Sequence, residues 1–192
     1  MVTNSRSINF NPTYKKIKKI YNNYLSNYVE GSVCIVSSSV VSSATFTAIK
    51  KIVDSLGFDT GAVVFVSLHP ELPDAKGADG TAQKNDESDS ESNGSHGDRV
   101  ETSNDDYEQK TGELSAADLF ELIEGIDPLC AVVTDKTAAQ AMANAYRHPI
   151  NLDRMNRVFG RNVAAFTSFD EMLTSKVQKA EAWSVLKKLT KL

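Results

Sequence analysis

The chain has 192 residues, a length that suits one domain with its own packed core. Hydrophobic residues make up 41% and charged residues 24%, a balance that excludes global disorder. The net charge of −4 is unevenly spread: residues 74–112 carry −7, and the remainder is mildly basic at +3, which gives weak support to nucleic-acid binding.

The first residues, 1–11, are polar and form no apolar signal segment, and no run approaches the roughly 20 apolar residues a membrane span needs. A soluble cytoplasmic protein is the default expectation. Residues 11–28 follow with Ile17, Ile20, Tyr21, Tyr24, Leu25 and Tyr28 at helical spacing. Lys15, Lys16, Lys18 and Lys19 crowd its first half, so it reads as a surface helix docking an apolar stripe, or as a basic helix that touches nucleic acid.

Ser32-Val-Cys-Ile-Val36 reads as a buried strand. A helix capped by Ser43 runs to about Leu56, with Phe46, Ile49, Ile52 and Val53 inward and Gly57 as its stop. Gly61-Ala-Val-Val-Phe-Val-Ser67 is the second strand. Residues 74–112 are rich in Gly, Ser, Asp and Asn and almost empty of large apolar side chains. Such a stretch cannot offset its ordering entropy, so it is expected to be a disordered acidic insert between two halves, 1–73 and 113–192, of a single domain. Its Ser88-Asp89-Ser90-Glu91-Ser92 core reads as a solvated acidic loop or as a phosphorylation target.

After the insert, Ser115 with Asp118 marks a helix start, and Leu119, Phe120, Leu122, Ile123 and Ile126 form its apolar face before Pro128. Cys130-Ala-Val-Val133 is the third strand. Asp135 or Thr137 caps the next helix through Ala138, Ala141, Met142 and Ala145, with His148-Pro149 as its stop. Val163-Ala-Ala-Phe166 is the fourth strand, and the last helix runs from about Lys176 to the C-terminus with Val177, Trp183, Leu186 and Leu189 buried. Cys34 and Cys130 lie inside apolar runs and form no CxxC pair, so they are expected as buried, reduced thiols.

Alternating strands and helices argue for an α/β fold: three layers, α/β/α, around a central, mostly parallel four-stranded sheet. Ligands in such folds sit beyond the carboxyl ends of the strands. That points to Ser37, Ser38 and Ser39, to residues 67–69, to residues 134–137 and to residues 167–170.

The order of these elements is similar to that of the uracil-DNA glycosylases of the family-four type. Ile123-Glu-Gly-Ile-Asp-Pro-Leu-Cys-Ala-Val-Val133 followed by Thr134-Asp-Lys-Thr-Ala-Ala-Gln-Ala-Met142 resembles that family's helix, turn, strand and "TAAQAL" segment. Glu181-Ala-Trp183 with Leu186-Lys-Lys-Leu189 resembles its closing helix, and residues 46–67 its early helix-turn-strand. About two thirds of the chain outside the insert can be laid on the pattern. The resemblance implies extrusion of a base into a pocket and cleavage of its N-glycosidic bond.

The residues for that chemistry do not carry over. Where the family has a histidine before the last helix, this chain has Ser168; where it has the carboxylate of its glycine-rich loop, Ser38; where it has a base-reading asparagine, Ser67. The four cysteines of an iron–sulfur cluster are absent. No cofactor or metal is expected. His69 and Asp170 are the candidates for relocated catalytic groups, although His69-Pro70 also reads as an exposed turn and Asp170 as a cap for the last helix. Ser37, Ser39, Ser67 and Asp135 are the remaining candidate pocket positions, Asp135 also reading as a helix cap.

The resemblance therefore implies a catalytically degenerate member with a binding or accessory role in DNA repair or replication, its partner being DNA or a repair or replication protein. The alternative is a glycosylase acting through Ser38, His69 and Asp170. A third reading is an unrelated doubly wound domain. A strand order of 2-1-3-4, with the last helix following the edge strand, supports the family; a five-stranded flavodoxin-like order opposes it.

Overall fold

The computed structural model describes residues 12–26, 33–69 and 110–190. Most of the acidic 74–112 stretch thus lies outside the described residues. Its last three residues belong to the packed body: the Lys110 amide donates to the Ile20 carbonyl at 3.2 Å, and the Gly112 carbonyl accepts from the Tyr24 hydroxyl at 2.7 Å.

The chain runs α1 (Pro12–Tyr21), β1 (Leu25–Ser26), β2 (Val33–Ser37), α2 (Ser43–Ser55), β3 (Val63–Ser67), α3 (Ala116–Ile126), β4 (Cys130–Val133), α4 (Lys136–Tyr146), β5 (Arg154–Val158), β6 (Arg161–Ala165), α5 (Phe169–Met172) and α6 (Lys176–Leu186). This is an α/β architecture. The strands form one mixed sheet in the order β1-β3-β2-β4-β6-β5.

The expected strands, β2, β3, β4 and β6, pair parallel as β3-β2-β4-β6, with Val33 opposite both Val63 and Cys130. Among the described residues the sheet has six strands, not the expected four. A two-residue strand, β1, joins one edge antiparallel to β3, and β5 joins the other antiparallel to β6. β5 therefore takes the edge position that the sequence assigns to β6. Its Arg-Met-Asn-Arg-Val run alternates exposure instead of forming an apolar block, because an edge strand need bury only part of its surface.

Every residue of β2, β3 and β4 is buried. This follows from layers on both faces. One face packs Cys34, Val36, Val64 and Val66 against Ile17 and Tyr21 of α1, Leu122 of α3 and Met142 of α4. The other packs Ile35 and Phe65 against Ile49 of α2, Phe169 of α5 and Leu186 of α6.

Several local expectations shift. The first helix ends at Tyr21, followed by a single 3-10 turn over Asn22–Tyr24, where two asparagines favour a turn over helix. Ser42, not Ser43, caps α2, accepting from the Thr45 amide at 3.1 Å. The last helix stops at Leu186 instead of running to the C-terminus; its buried stripe is Ala182, Val185 and Leu186, continued past its end by Leu189. That spacing puts Val177 (69% exposed) and Trp183 (37% exposed) off the buried face, against expectation. Among the described residues, no helix is long and apolar enough to cross a membrane.

Candidate functional site

The parallel strands order as β3-β2-β4-β6, so the chain reverses direction across the sheet between β2 and β4. In open α/β sheets that switch point, at the carboxyl end of the strands, opens a crevice where ligands settle. Here the segments that follow β2, β4 and β6 surround a hollow of about 120 Å³. Ser37, Ser38, Ser39, Asp135, Ser168 and Asp170 line it together. Pockets for drug-sized ligands usually enclose about 300–1,000 Å³, so the hollow is well below that range.

Its size follows from where the polar groups point. Asp135 follows β4, and one carboxylate oxygen caps α4 by accepting from the Ala138 amide at 2.8 Å. The other reaches across the switch point and accepts from the Ser38 amide at 2.8 Å and the Thr134 hydroxyl at 3.2 Å. The carboxylate that faces the crevice thus ties its two walls together.

A second closure joins the β4 and β6 sides. The Phe169 amide donates to the Thr134 carbonyl at 2.8 Å, and the Lys136 amide donates to the Thr167 carbonyl at 3.2 Å. Ser168 sits in this seam and caps the short helix α5, its hydroxyl accepting from the Glu171 amide at 3.4 Å. Ser37, 4% exposed, turns its hydroxyl back onto the Ser39 carbonyl.

Asp170 does not cap the last helix; Ser175 does, accepting from the Gln178 amide at 3.2 Å. The Asp170 carboxylate instead lies at the start of α2, accepting from the hydroxyls of Ser42, at 2.9 Å, and of Thr45. A helix N-terminus attracts anions through its free amides and its dipole. Asp170 supplies that anion from within the chain, at a place where a ligand phosphate would otherwise be welcome. Ser42 and Thr45 were not singled out from sequence, because nothing in their spacing shows that a carboxylate 128 and 125 residues away meets them.

Ser67 and His69 do not line the hollow. Ser67 is buried at 7% exposure, and its hydroxyl has no hydrogen-bond partner among the described residues. His69 is exposed just beyond β3. Of the set Ser38, His69 and Asp170, the hollow gathers Ser38 and Asp170 but not His69; the Ser38 amide donates to Asp135, and the Asp170 carboxylate faces α2.

Cys34 and Cys130 are buried in neighbouring central strands, and burial pushes both thiols up to about 12. Thiols held protonated this firmly are poor nucleophiles and poor metal ligands at neutral pH. Among the described residues, no cluster of three or more His, Cys, Asp or Glu side chains could hold a metal ion. No protein-family model matches this chain, and no curated protein matches it.

Proposed function

We propose that this chain is a non-catalytic protein of uracil-DNA-glycosylase-like architecture, with a binding or accessory role in DNA repair or replication. The observation that carries the non-catalytic half is the commitment of Asp135. Both of its oxygens are taken by amides that close the crevice, one of α4 and one of the β2 loop. A general base must be aimed at a reacting proton, and these amides aim the Asp135 carboxylate at the walls of the crevice. Asp170 is engaged through one oxygen, which accepts from the hydroxyls of both Ser42 and Thr45. Function resides in the site and not in the fold, and these acids serve the fold.

Support for the architecture comes from the four parallel strands, whose order among themselves is second-first-third-fourth. Antiparallel β5, inserted as a hairpin before β6, is an addition to that plan. The binding half of the proposal rests on the resemblance and on the mildly basic balance of the chain outside residues 74–112.

The test is fluorescence anisotropy with two labelled DNA duplexes, identical except for one uracil. The expected result is binding that weakens steeply as salt rises, because phosphate contacts release counterions, with equal affinity for both duplexes because no base pocket discriminates them. Preference for the uracil duplex would overturn the non-catalytic reading. A flat titration at low salt would overturn DNA as the partner.

A further inference from the structure

A second concavity of about 490 Å³ lies between α3, α4 and the hairpin that joins β5 to β6, and it shares no lining residue with the serine hollow. Its wall is aromatic. Phe120, Tyr146 and Phe159 form a mutual edge-to-face cluster, with ring centroids 5.2 to 6.0 Å apart. Ala117 and Ala145 keep the groove open. Its base is held in place: the Tyr146 hydroxyl donates to Glu124 at 2.7 Å, and Arg161 grips both oxygens of Glu124 and reaches Asp127 at 2.9 Å. The Arg161 hydrogen bond is the main reason the Glu124 carboxyl is held below its ordinary range.

Two residues of this groove break local rules. Phe159 and Gly160 make a two-residue hairpin turn with φ of 48° and 82°. A turn with both φ values positive favours Asn-Gly or Asp-Gly, and a phenylalanine there is strained. Phe159 is nonetheless 66% exposed. Arg147 ends α4 at φ 49°, a position where glycine or asparagine is usual. The two other non-glycine residues with positive φ, among those described, are Asp127 and Asp153, a type that tolerates this conformation. So the two large side chains held in left-handed backbone line the same groove. Strain that local propensity does not require is a mark of a functional surface.

We infer that this groove docks a short peptide segment of a partner protein, one with a bulky apolar side chain beside an aspartate or glutamate. The apolar side chain enters between Phe120, Tyr146 and Phe159. The acidic side chain pairs with Arg147, which is exposed and makes no ion pair among the described residues. At the groove's base Arg161 pairs with both Glu124 and Asp127, two carboxylates to one guanidinium, which leaves Arg147 as the cation that can meet a ligand. A single cation favours an acidic peptide over single-stranded nucleic acid, whose affinity is built on neutralising several phosphates.

The test uses the full chain and its Phe159→Asn and Arg147→Asn variants. Both substitutions place a residue that suits the left-handed backbone, so both variants should keep or raise the melting temperature. The probes are a fluorescein-labelled Gly/Ser peptide carrying one Asp-Leu-Phe triplet, the same peptide with Lys-Leu-Phe, and labelled oligothymidylate. The expected result is saturable binding of the Asp-Leu-Phe peptide by the unmodified chain, weakened about tenfold or more in each variant, with the lysine peptide bound far less. The inference is overturned if the unmodified chain does not bind the acidic peptide, or binds both peptides alike. It is also overturned if neither variant weakens binding, if oligothymidylate is what Phe159→Asn releases, or if both variants melt earlier.

Discussion

Asp135→Ala is expected to lower folding stability by about 2–3 kcal/mol, from two separable losses. Removing a helix cap costs about 1 kcal/mol, and the Ala138 amide at the start of α4 loses its acceptor. The Ser38 amide loses its acceptor as well, while the Thr134 hydroxyl keeps the Val36 carbonyl, and an amide left without a partner costs about 1 kcal/mol or more. For a domain of this size the melting temperature should drop by about 5–10 °C. Asp135→Asn keeps a cap oxygen but offers the Ser38 side an amide donor in some orientations, so its loss should be smaller. Thermal unfolding of the three proteins checks the order: unmodified, then Asn, then Ala. A melting temperature unchanged in Asp135→Ala would mean that the carboxylate does not hold the crevice shut.

Gly125→Ala should also destabilise the protein, against the usual direction. Within an exposed helix, alanine is better than glycine by about 1 kcal/mol. At this position of α3, however, an added Cβ would lie 2.5 Å from Ile17 Cγ1 and 2.8 Å from its Cδ1. Ile17 is 1% exposed and anchors α1 to the sheet layer, so it has little room to retreat. Overpacking costs about 1–3 kcal/mol, which offsets or exceeds the propensity gain and leaves a net loss of up to about 2 kcal/mol. A double-mutant cycle isolates the cause. In an Ile17→Ala background the obstructing atoms are gone, and Gly125→Ala should become neutral or favourable. If Gly125→Ala is equally harmful in both backgrounds, the clash with Ile17 is not its origin.

Much of the fold was legible because the central strands are continuous apolar runs. Val33 to Val36, Val63 to Val66 and Cys130 to Val133 are buried on both faces, and such runs stand out against polar flanks. The helices α3 and α4 were legible from their caps, Ser115 and Asp135. What escaped were elements whose signal is weak by construction. β5 alternates arginine, asparagine and apolar residues, and its turn carries phenylalanine where Asn or Gly is the usual marker. α5 is four residues long and has no periodicity to read. Trp183 reads as inward in the sequence, whereas the tertiary contacts chose the stripe through Ala182 and Val185.

The candidate site was legible in position but not in connectivity. The serines and acids beyond the strand ends do gather at one edge, because parallel strands deliver their carboxyl ends to the same side. Which of them bond to which depends on loops that meet only after folding. Asp170 reads in the sequence as a helix cap or a displaced catalytic carboxylate; in the structure it joins α5 to α2 through Ser42 and Thr45. Ser168 lies where the resemblance places a histidine and caps a four-residue helix instead. The identity of the residues therefore revealed what the edge lacks, and the hydrogen bonds revealed what the remaining groups do.

The most direct measurement is single-turnover base excision. The protein, in excess, is incubated with an end-labelled duplex containing one uracil, and abasic sites are cut with alkali and resolved on a denaturing gel. With Asp135 and Asp170 both engaged in closing the edge, the duplex should stay intact at the level of a protein-free control. Strand cutting by the unmodified chain that is lost in a folded Asp170→Ala variant would contradict this, and would make Asp170 a catalytic group.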